Sequence, residues 1–493
     1  MLEVAARRRA QLGLAILGLV GLLVRHRRNL PKNVTWVPGS LPFIGSTVKI
    51  LRALLASRLL DEYHAWFKAW GQTVAYSVVG QNFVATIDPK VIEHILKSKF
   101  DNYIKGWVFQ DPFTDLLGDG IFNVDGDLWH QQRKTSSRLF SKKKFETHIW
   151  DTVQTNITKV MHILNSDCGK TIDMFGLLNR FTLDTIGQIG FSKSVGSLED
   201  ASSPFLRSFD MAQRFLILRF WTSPAWKLMK WFRLGWEPEL LTHLKLLNDY
   251  SRSIVRDLVA KSANTEDNSL VGLFLKEVSD AEREDPKTET YLRDLVLNFL
   301  IAGRDTTAQC LAWTIFELAQ RPEIVQKARA EIEGVFERGP LTYASLKELK
   351  YVKAILDEGL RLHPSVPYDG KLCVRDDVLP NGTKVRAGTI VQFVPYAQGR
   401  CVEIWGEDAE EFRPERWLDM PSRPSDFAYS AFNAGPRVCL GRALAELEMT
   451  SFLATVLRKF DFELQVAPGE VRYDVQLTLG MTGLPVRATR VLA

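Results

Sequence analysis

A cysteine, an acid and alcohol pair, a carboxylate and guanidinium grouping and a tryptophan and arginine pair are the residues of this 493-residue chain whose types and spacing could do chemistry. Cys439 stands in Phe432-Asn433-Ala434-Gly435-Pro436-Arg437-Val438-Cys439-Leu440-Gly441, directly ahead of a helical-looking run from Arg442 to Leu457. A thiol there meets free backbone N–H groups and the positive end of a helix dipole, and both favour the thiolate, the form that ligates a metal. Gly435 and Gly441 lack Cβ and suit places where backbone turns sharply or approaches a flat group closely. Asp305 and Thr306 occur in Ala302-Gly303-Arg304-Asp305-Thr306-Thr307, inside an apolar run from Tyr291 to Gln320 that reads as one buried helix. Such residues cost helix stability and call for a reason. A threonine hydroxyl can pull on a backbone carbonyl and open a groove for water, and a neighbouring carboxyl can then bring protons from outside. A structural cysteine in an ordinary turn and a structural Asp-Thr pair are the plain alternatives.

Glu358 and Arg361 are spaced i, i+3, and Arg416 follows in Pro414-Glu415-Arg416-Trp417; three such charges read as a buried ion network, scaffold rather than catalysis. Trp129 and Arg133 are four apart and share one helical face, where a surface cation–aromatic contact is the ordinary explanation.

Together these motifs resemble the cytochrome P-450 family. Phe432, Gly435, Arg437, Cys439 and Gly441 match its haem-binding loop, Asp305-Thr306 its acid and alcohol pair, Glu358-x-x-Arg361 with Arg416 its ion network, and Trp129-x-x-x-Arg133 its propionate-binding helix. The resemblance runs in the family's order from Pro38 to the C-terminus. It implies a mainly α fold with small β-sheets, a single large haem domain with α-rich and β-rich lobes. It implies haem b with Cys439 as axial thiolate, which favours O–O cleavage. Phe432 would pack near the sulfur, and Trp129, Arg133, Lys371 and Arg437 would hold the propionates. Small Ala302 and Gly303 would leave room over the iron, and Asp305 and Thr306 would manage protons. Ile121, Phe122, Val366 and Met481 fall where family members line the substrate pocket.

The implied reaction is O2-dependent hydroxylation with two electrons from NADPH. The chain has no dinucleotide fingerprint or flavodoxin-like extension, so NADPH acts only through a separate flavoprotein, an NADPH-cytochrome P-450 reductase, with cytochrome b5 as an optional further donor. Six basic residues from Arg133 to Lys144 (Arg133, Lys134, Arg138, Lys142, Lys143, Lys144) suit steered docking of an acidic partner. The runs Asp101-Asn102-Tyr103-Ile104-Lys105-Gly106, Phe122-Asn123, Ala302 to Thr307 and Leu379-Pro380-Asn381-Gly382-Thr383 look like the plant and microbial branch that hydroxylates fatty acids and alkanes, often at the ω end. Animal ω-hydroxylases of the superfamily usually carry a haem-esterified glutamate at the place of Ala302, and alanine cannot form that link. Sterol, terpenoid or xenobiotic hydroxylation, a reductase-independent isomerase and a haem sensor are the other readings; Asp305-Thr306 and the basic face count against the last two.

Composition is that of an ordinary globular protein, 46% hydrophobic and 25% charged. Five scattered cysteines (Cys168, Cys310, Cys373, Cys401, Cys439) argue against a disulfide framework and for a reducing, cytosol-facing milieu. The net charge of +5 resides in residues 1–32, so no nucleic-acid partner is implied. There Arg7-Arg8-Arg9 and Arg25-His26-Arg27-Arg28 bracket an apolar run from Leu12 to Val24. That run would extend about 20 Å as a helix, short of the roughly 30 Å bilayer core, and snorkelling arginines could close the gap. A retained anchor is favoured over a cleaved signal peptide, which would need a small-residue cleavage site. The expected organisation is an anchor over 1–32, a proline-rich hinge over 33–46 and the haem domain over 47–493, at the endoplasmic reticulum membrane facing the cytosol.

Several elements are expected on local grounds. Leu51 to Trp70 reads as a helix, Thr73 to Ile87 as a hairpin broken at Gly80-Gln81, and Asp88-Pro89 as a helix start. The charged stretch Ser279 to Thr290 reads as a surface linker, Val378 to Phe393 and Val471 to Val491 as small sheets. The aromatic and basic stretch Phe205 to Trp236 reads either as a core helix pair or, by the resemblance, as a mobile lid at the membrane interface.

Overall fold

The computed structural model describes residues 30–39, 44–140, 145–223, 225–262, 269–277, 279 and 285–491. The expected anchor up to residue 29, residues 40–43 of the hinge, and Lys142, Lys143 and Lys144 lie outside the described residues. Among the described residues no helix is long and apolar enough to cross a membrane. The chain folds as two compact units, one made of residues up to Ile104 with Asp369–Val394, the other of Lys105–Tyr368 with the remainder from Pro395.

The first unit is built on a six-stranded sheet. Thr73–Val78 and Gln81–Thr86 form the expected hairpin, closed by Val79 and Gly80 at φ +46° and +78°. Two positive φ values in a two-residue loop match the right-handed twist of the flanking strands. Thr35–Trp36 runs parallel to the first of these strands, Ile390–Phe393 parallel to the second, and Asp369–Cys373 and Tyr103–Ile104 complete the sheet. Where one helix is expected from Leu51 to Trp70 there are two, Thr47–Leu55 and Leu59–Trp70. Ser57 between them takes φ +53°, a left-handed turn that lets both helices bury apolar faces. From the second, Tyr63 is fully buried and its hydroxyl meets that of Tyr76 at 2.7 Å. Asp88 caps the next helix by accepting from the Lys90 N–H, with Pro89 at its first position.

The second unit is mainly helical, with small sheets at Phe460–Leu464/Pro485–Arg490/Thr171–Asp173 and Tyr473–Val475/Leu479–Met481. Its axis is a helix of 33 residues, Pro286–Leu318, about 50 Å long. It begins five residues before the expected Tyr291, because Asp285 caps it and Pro286 supplies a preset φ; part of the charged linker is its first turn. Met174–Phe191 packs closely against it: a Cβ on Gly303 would fall 2.4 Å from Cγ1 of Ile186. The stretch Phe205 to Trp236 resolves into Pro204–Trp221, largely buried, and Trp226–Phe232, whose Leu228, Trp231 and Phe232 are exposed. The first helix is thus core, and the second is not a core helix.

Glu358, Arg361 and Arg416 meet in the interior. Arg361 holds both Glu358 oxygens at 2.8 Å, and Arg416 adds a bond to Oε1 at 3.1 Å. The remaining guanidinium N–H groups donate to the carbonyls of Gly399, Ala409, Glu411, Trp405 and Asp408, so a charged cluster is tolerated without water.

Candidate active site

Cys439 is positioned by a loop that coils and then feeds a helix. Asn433 and Gly435 take φ +58° and +63°, the second being where a glycine has least steric cost, and the Cys439 N–H donates to the Phe432 carbonyl at 2.9 Å. The helix Arg442–Leu457 starts at the expected residue. Burial pushes the Cys439 thiol up, while N–H groups of Gly441 and Arg442 and the guanidinium groups of Arg133 and Arg442 favour the thiolate. Gly441 itself has φ −85°; its missing Cβ would lie 3.9 Å from the sulfur, so it keeps the flank of Sγ slim rather than making the turn.

Arg133 turns inward from Gly126–Ser137 and donates to the Val438 carbonyl at 2.7 Å. Arg437 lies 4.4 Å over the Trp129 ring and pairs with Asp125 at 2.7 Å. Arg442 stands 5.1 Å over Phe432. Trp129, Arg133, Phe432, Gly435, Arg437 and Gly441 thus gather at the cysteine loop. Lys134 and Arg138 of the basic face are exposed. Lys371 lies in the first unit, almost wholly buried, with its ammonium 2.6 Å from Asp369.

On the long helix, between Asp294 and Ile315, Ala302, Gly303 and Thr306 are part-exposed and the other residues are buried. Their i, i+1, i+4 spacing puts that opening on one face. Thr306 Oγ1 donates to the Ala302 carbonyl at 2.7 Å, and the Ser365 hydroxyl donates to the Thr306 carbonyl at 2.7 Å. Asp305 points elsewhere and is buried: Oδ1 accepts from Arg304 and Oδ2 from Gln213, both at 2.8 Å. Burial raises its carboxyl to about 6 in spite of Arg304 and Gln213, which hold it down. Arg304 also reaches Asp210, half-exposed, at 2.6 Å, so a polar chain leads from Asp305 toward the surface.

The four expected pocket residues sit on segments docked to this helix. Asn298 accepts from the Phe122 N–H at 3.1 Å and donates to the Leu117 carbonyl at 2.8 Å, fixing the loop with Ile121 and Phe122. Gln309 and Trp313 bond Thr478 and Leu479, which carries Met481, and the Leu479 N–H donates to Ser365, next to Val366. Ile121 and Met481 are buried, Phe122 and Val366 exposed.

These residues fit a flat iron porphyrin. Cys439 is packed deep among protein atoms and yet presents accessible surface, so its sulfur could be reached by a metal-bearing group. The donor set suits it too: a sulfur flanked by N–H groups with the guanidinium group of Arg133 beside it, and Arg437 of the same loop, which pairs with Asp125, shows that the loop receives carboxylates. Sequence reasoning missed Gln213, Asp210 and Glu448. Gln213 left one faint signal, an amide on the apolar face of a helix; Glu448 left none that separates it from a surface glutamate.

The cytochrome P450 family profile matches residues 37–485. Cytochrome P450 704B1 of Arabidopsis thaliana is 35% identical over 92% of this chain and 94% of its own. Cytochrome P450 704C1 of Pinus taeda is 38% identical over 83% and 85%, and cytochrome P450 94A1 of Vicia sativa 32% identical over 87% and 85%. With the profile spanning nearly all of both units, the chain belongs to the cytochrome P450 family, enzymes that use haem b with a cysteine thiolate as monooxygenases.

Proposed function

We propose that this monooxygenase hydroxylates a fatty acid at or near its ω end, with Cys439 as the iron ligand. The carrying observation is the character of the opening on the long helix: Ala302, Gly303 and Thr306 are small, and the segments docked around them bring Ile121, Phe122, Val366 and Met481. A slim, uncharged surface suits an unbranched hydrocarbon end better than a polar group. The runs Asp101 to Gly106 and Leu379 to Thr383 add the resemblance to the fatty-acid and alkane branch, and the relatives from plants accord with it.

In the reaction one oxygen atom of O2 enters a C–H bond, the other leaves as water, and NADPH supplies two electrons through the reductase with one proton from solvent. Haem supplies the activation of dioxygen when bound. Arg133, Arg437 and Trp129 would hold its propionates. Thr306, tied to the Ala302 carbonyl, presents a hydroxyl that orders water at the open face. Asp305 replenishes that water with protons. The exposed Trp231 and Phe232 beside Lys230 and Arg233, with the N-terminal anchor, seat the enzyme on the endoplasmic reticulum membrane, where such substrates dissolve. Lys134, Arg138 and Lys142 to Lys144 receive the reductase.

The test is a spectral binding screen of fatty acids, alkanes and sterols, followed by mass spectrometry of products from a reductase-driven reaction. A terminal or near-terminal hydroxy acid is expected; tight binding and turnover of sterols alone overturns the substrate reading.

A further inference from the structure

We propose that Gln213, on the helix Pro204–Trp221, is a positioning residue for the carboxyl of Asp305, so that the seating of this helix sets how protons reach the face of Thr306. The inference rests on the reading of Asp305 as the proton-supplying group.

Gln213 has no exposed surface, and Phe209, Ala212 and Leu216 around it on the same helix are buried apolar residues. Burying an amide in such company costs free energy unless its hydrogen bonds are met. One is met: Nε2 donates to Asp305 Oδ2 at 2.8 Å. Its Oε1 and the Nε of Arg304 are buried with no hydrogen-bond partner among the described residues. An acceptor and a donor thus flank the same carboxyl, the complement that a proton-carrying water uses.

The charged groups acting on Asp305 are few. Arg304 is its neighbour on the long helix, Asp210 lies one turn before Gln213 on the facing helix, and Asp210 and Asp305 accept from the same guanidinium nitrogen of Arg304. From Met174–Phe191, the uncharged Thr182 donates to the Arg304 carbonyl and not to the Arg304 or Asp305 side chain. Two carboxylates against one guanidinium leave the cluster short of positive charge, so the neutral amide decides how firmly the ionised form is held.

Glutamine has a property that lysine or arginine at this place would lack. Its N–H donates to a carboxylate, and after rotation of the amide its carbonyl accepts from a protonated carboxyl. Asp305 can therefore gain and lose a proton while remaining anchored to one partner. A cationic residue would hold it ionised; an apolar one would leave burial unopposed. The contact exists only while Pro204–Trp221 is seated. A separate ion pair at the surface of that helix, Arg214 with Asp474 at 2.7 Å, does not touch Asp305, and as a half-exposed pair it contributes little to holding the helix in place.

The experiment compares the haem-loaded wild type with Gln213→Leu, Gln213→Glu, Arg214→Ala and Asp305→Asn. The infrared difference between wild type and Asp305→Asn identifies the carboxyl band of Asp305, and its titration is followed in each variant without turnover. Product formed per NADPH consumed is measured across the same pH range. Gln213→Leu should move the titration midpoint up by about one unit or more, since a bond to the ionised form is lost. It should move the pH profile of coupling in step, with spectral substrate binding retained. Gln213→Glu should shift the midpoint the same way, because neighbouring carboxyls share a proton, and it decides the matter should the leucine variant fail to accumulate. Arg214→Ala should leave midpoint and profile in place. An unmoved midpoint in both Gln213 variants, or an equal shift in Arg214→Ala, overturns the proposal alone. Wild-type coupling at every pH in Asp305→Asn overturns the reading beneath it, and the proposal with it.

Discussion

Thr306 Oγ1 and the Ala302 carbonyl oxygen are joined by a 2.7 Å hydrogen bond on the face where Ala302, Gly303 and Thr306 are part-exposed within the buried middle of the long helix. A hydroxyl that donates to the carbonyl four residues back retains its lone pairs for water, and back-bonding of this kind bends a helix locally. Thr306→Ala removes the hydroxyl without removing a packing partner of either neighbouring segment. Haem content and spectral substrate binding should be unchanged. Electrons should appear as hydrogen peroxide instead of product, lowering product per NADPH by about ten- to a hundredfold. NADPH consumed, peroxide released and product formed in one reaction measure this; full coupling in the variant would show that Thr306 is only a helix residue.

Cys439→Ser tests the ligand. Oxygen donates less charge to iron than sulfur does, so the reduced carbon monoxide complex should lose the red-shifted Soret band of a thiolate. The loop should keep its shape, since the Cys439 N–H to Phe432 bond and the Gly435 turn do not involve the sulfur. A variant with the wild-type band would transfer the ligand role elsewhere.

Glu358 and Arg361 have no exposed side-chain surface, and each is satisfied only by the other and by fixed neighbours. Arg361→Leu leaves Glu358 with Arg416, the Trp417 indole N–H and the Arg413 backbone N–H, one guanidinium group short of its partners. Breaking a buried pair from one side costs about 3–5 kcal/mol, so the variant should unfold at markedly lower urea or fail to retain haem. Replacing the exposed partner of Lys97 and Glu93 should cost under about 1 kcal/mol. Comparable losses at the two sites would contradict the structural account.

The parts of this architecture legible in the sequence are those whose cause is local. Asp88 with Pro89 and the glycine after Val79 fix a cap and a turn from a few neighbouring residues. The break at Ser57 and the start at Pro286 escape notice because charge and polarity there suit a surface helix and a linker equally. Arg219 and Glu237 show the larger limit. Both are fully buried, 2.5 Å apart and 18 residues apart in the chain, whereas the sequence shows only a basic residue among aromatics and an acid at a helix start. Gln213 is of the same kind: its meaning comes from Asp305, 92 residues away.

Glu448 supplies a pH-dependent test of the join between the long helix and Arg442–Leu457. It is buried, Thr307 supplies its hydrogen bond, and burial pushes its carboxyl up from 4.5 to about 8. At pH 7 the folded protein therefore holds Glu448 protonated while the unfolded chain has it ionised, and folding must take up a proton. The unfolded state binds fewer protons here than the folded state, so stability falls as pH rises. This contribution is most favourable below about pH 4.5, declines from there to about pH 8 and is constant above it. Glu448→Gln keeps the shape and removes the titration. It should be more stable than wild type at pH 7 by something on the order of 3 kcal/mol, less the value of the altered Thr307 bond, with a difference that shrinks toward pH 5. Urea unfolding of both proteins at pH 5, 7 and 8.5 measures it. A stability difference that does not change with pH would mean that Glu448 is ionised in the folded protein, with a cation or a water chain as its partner.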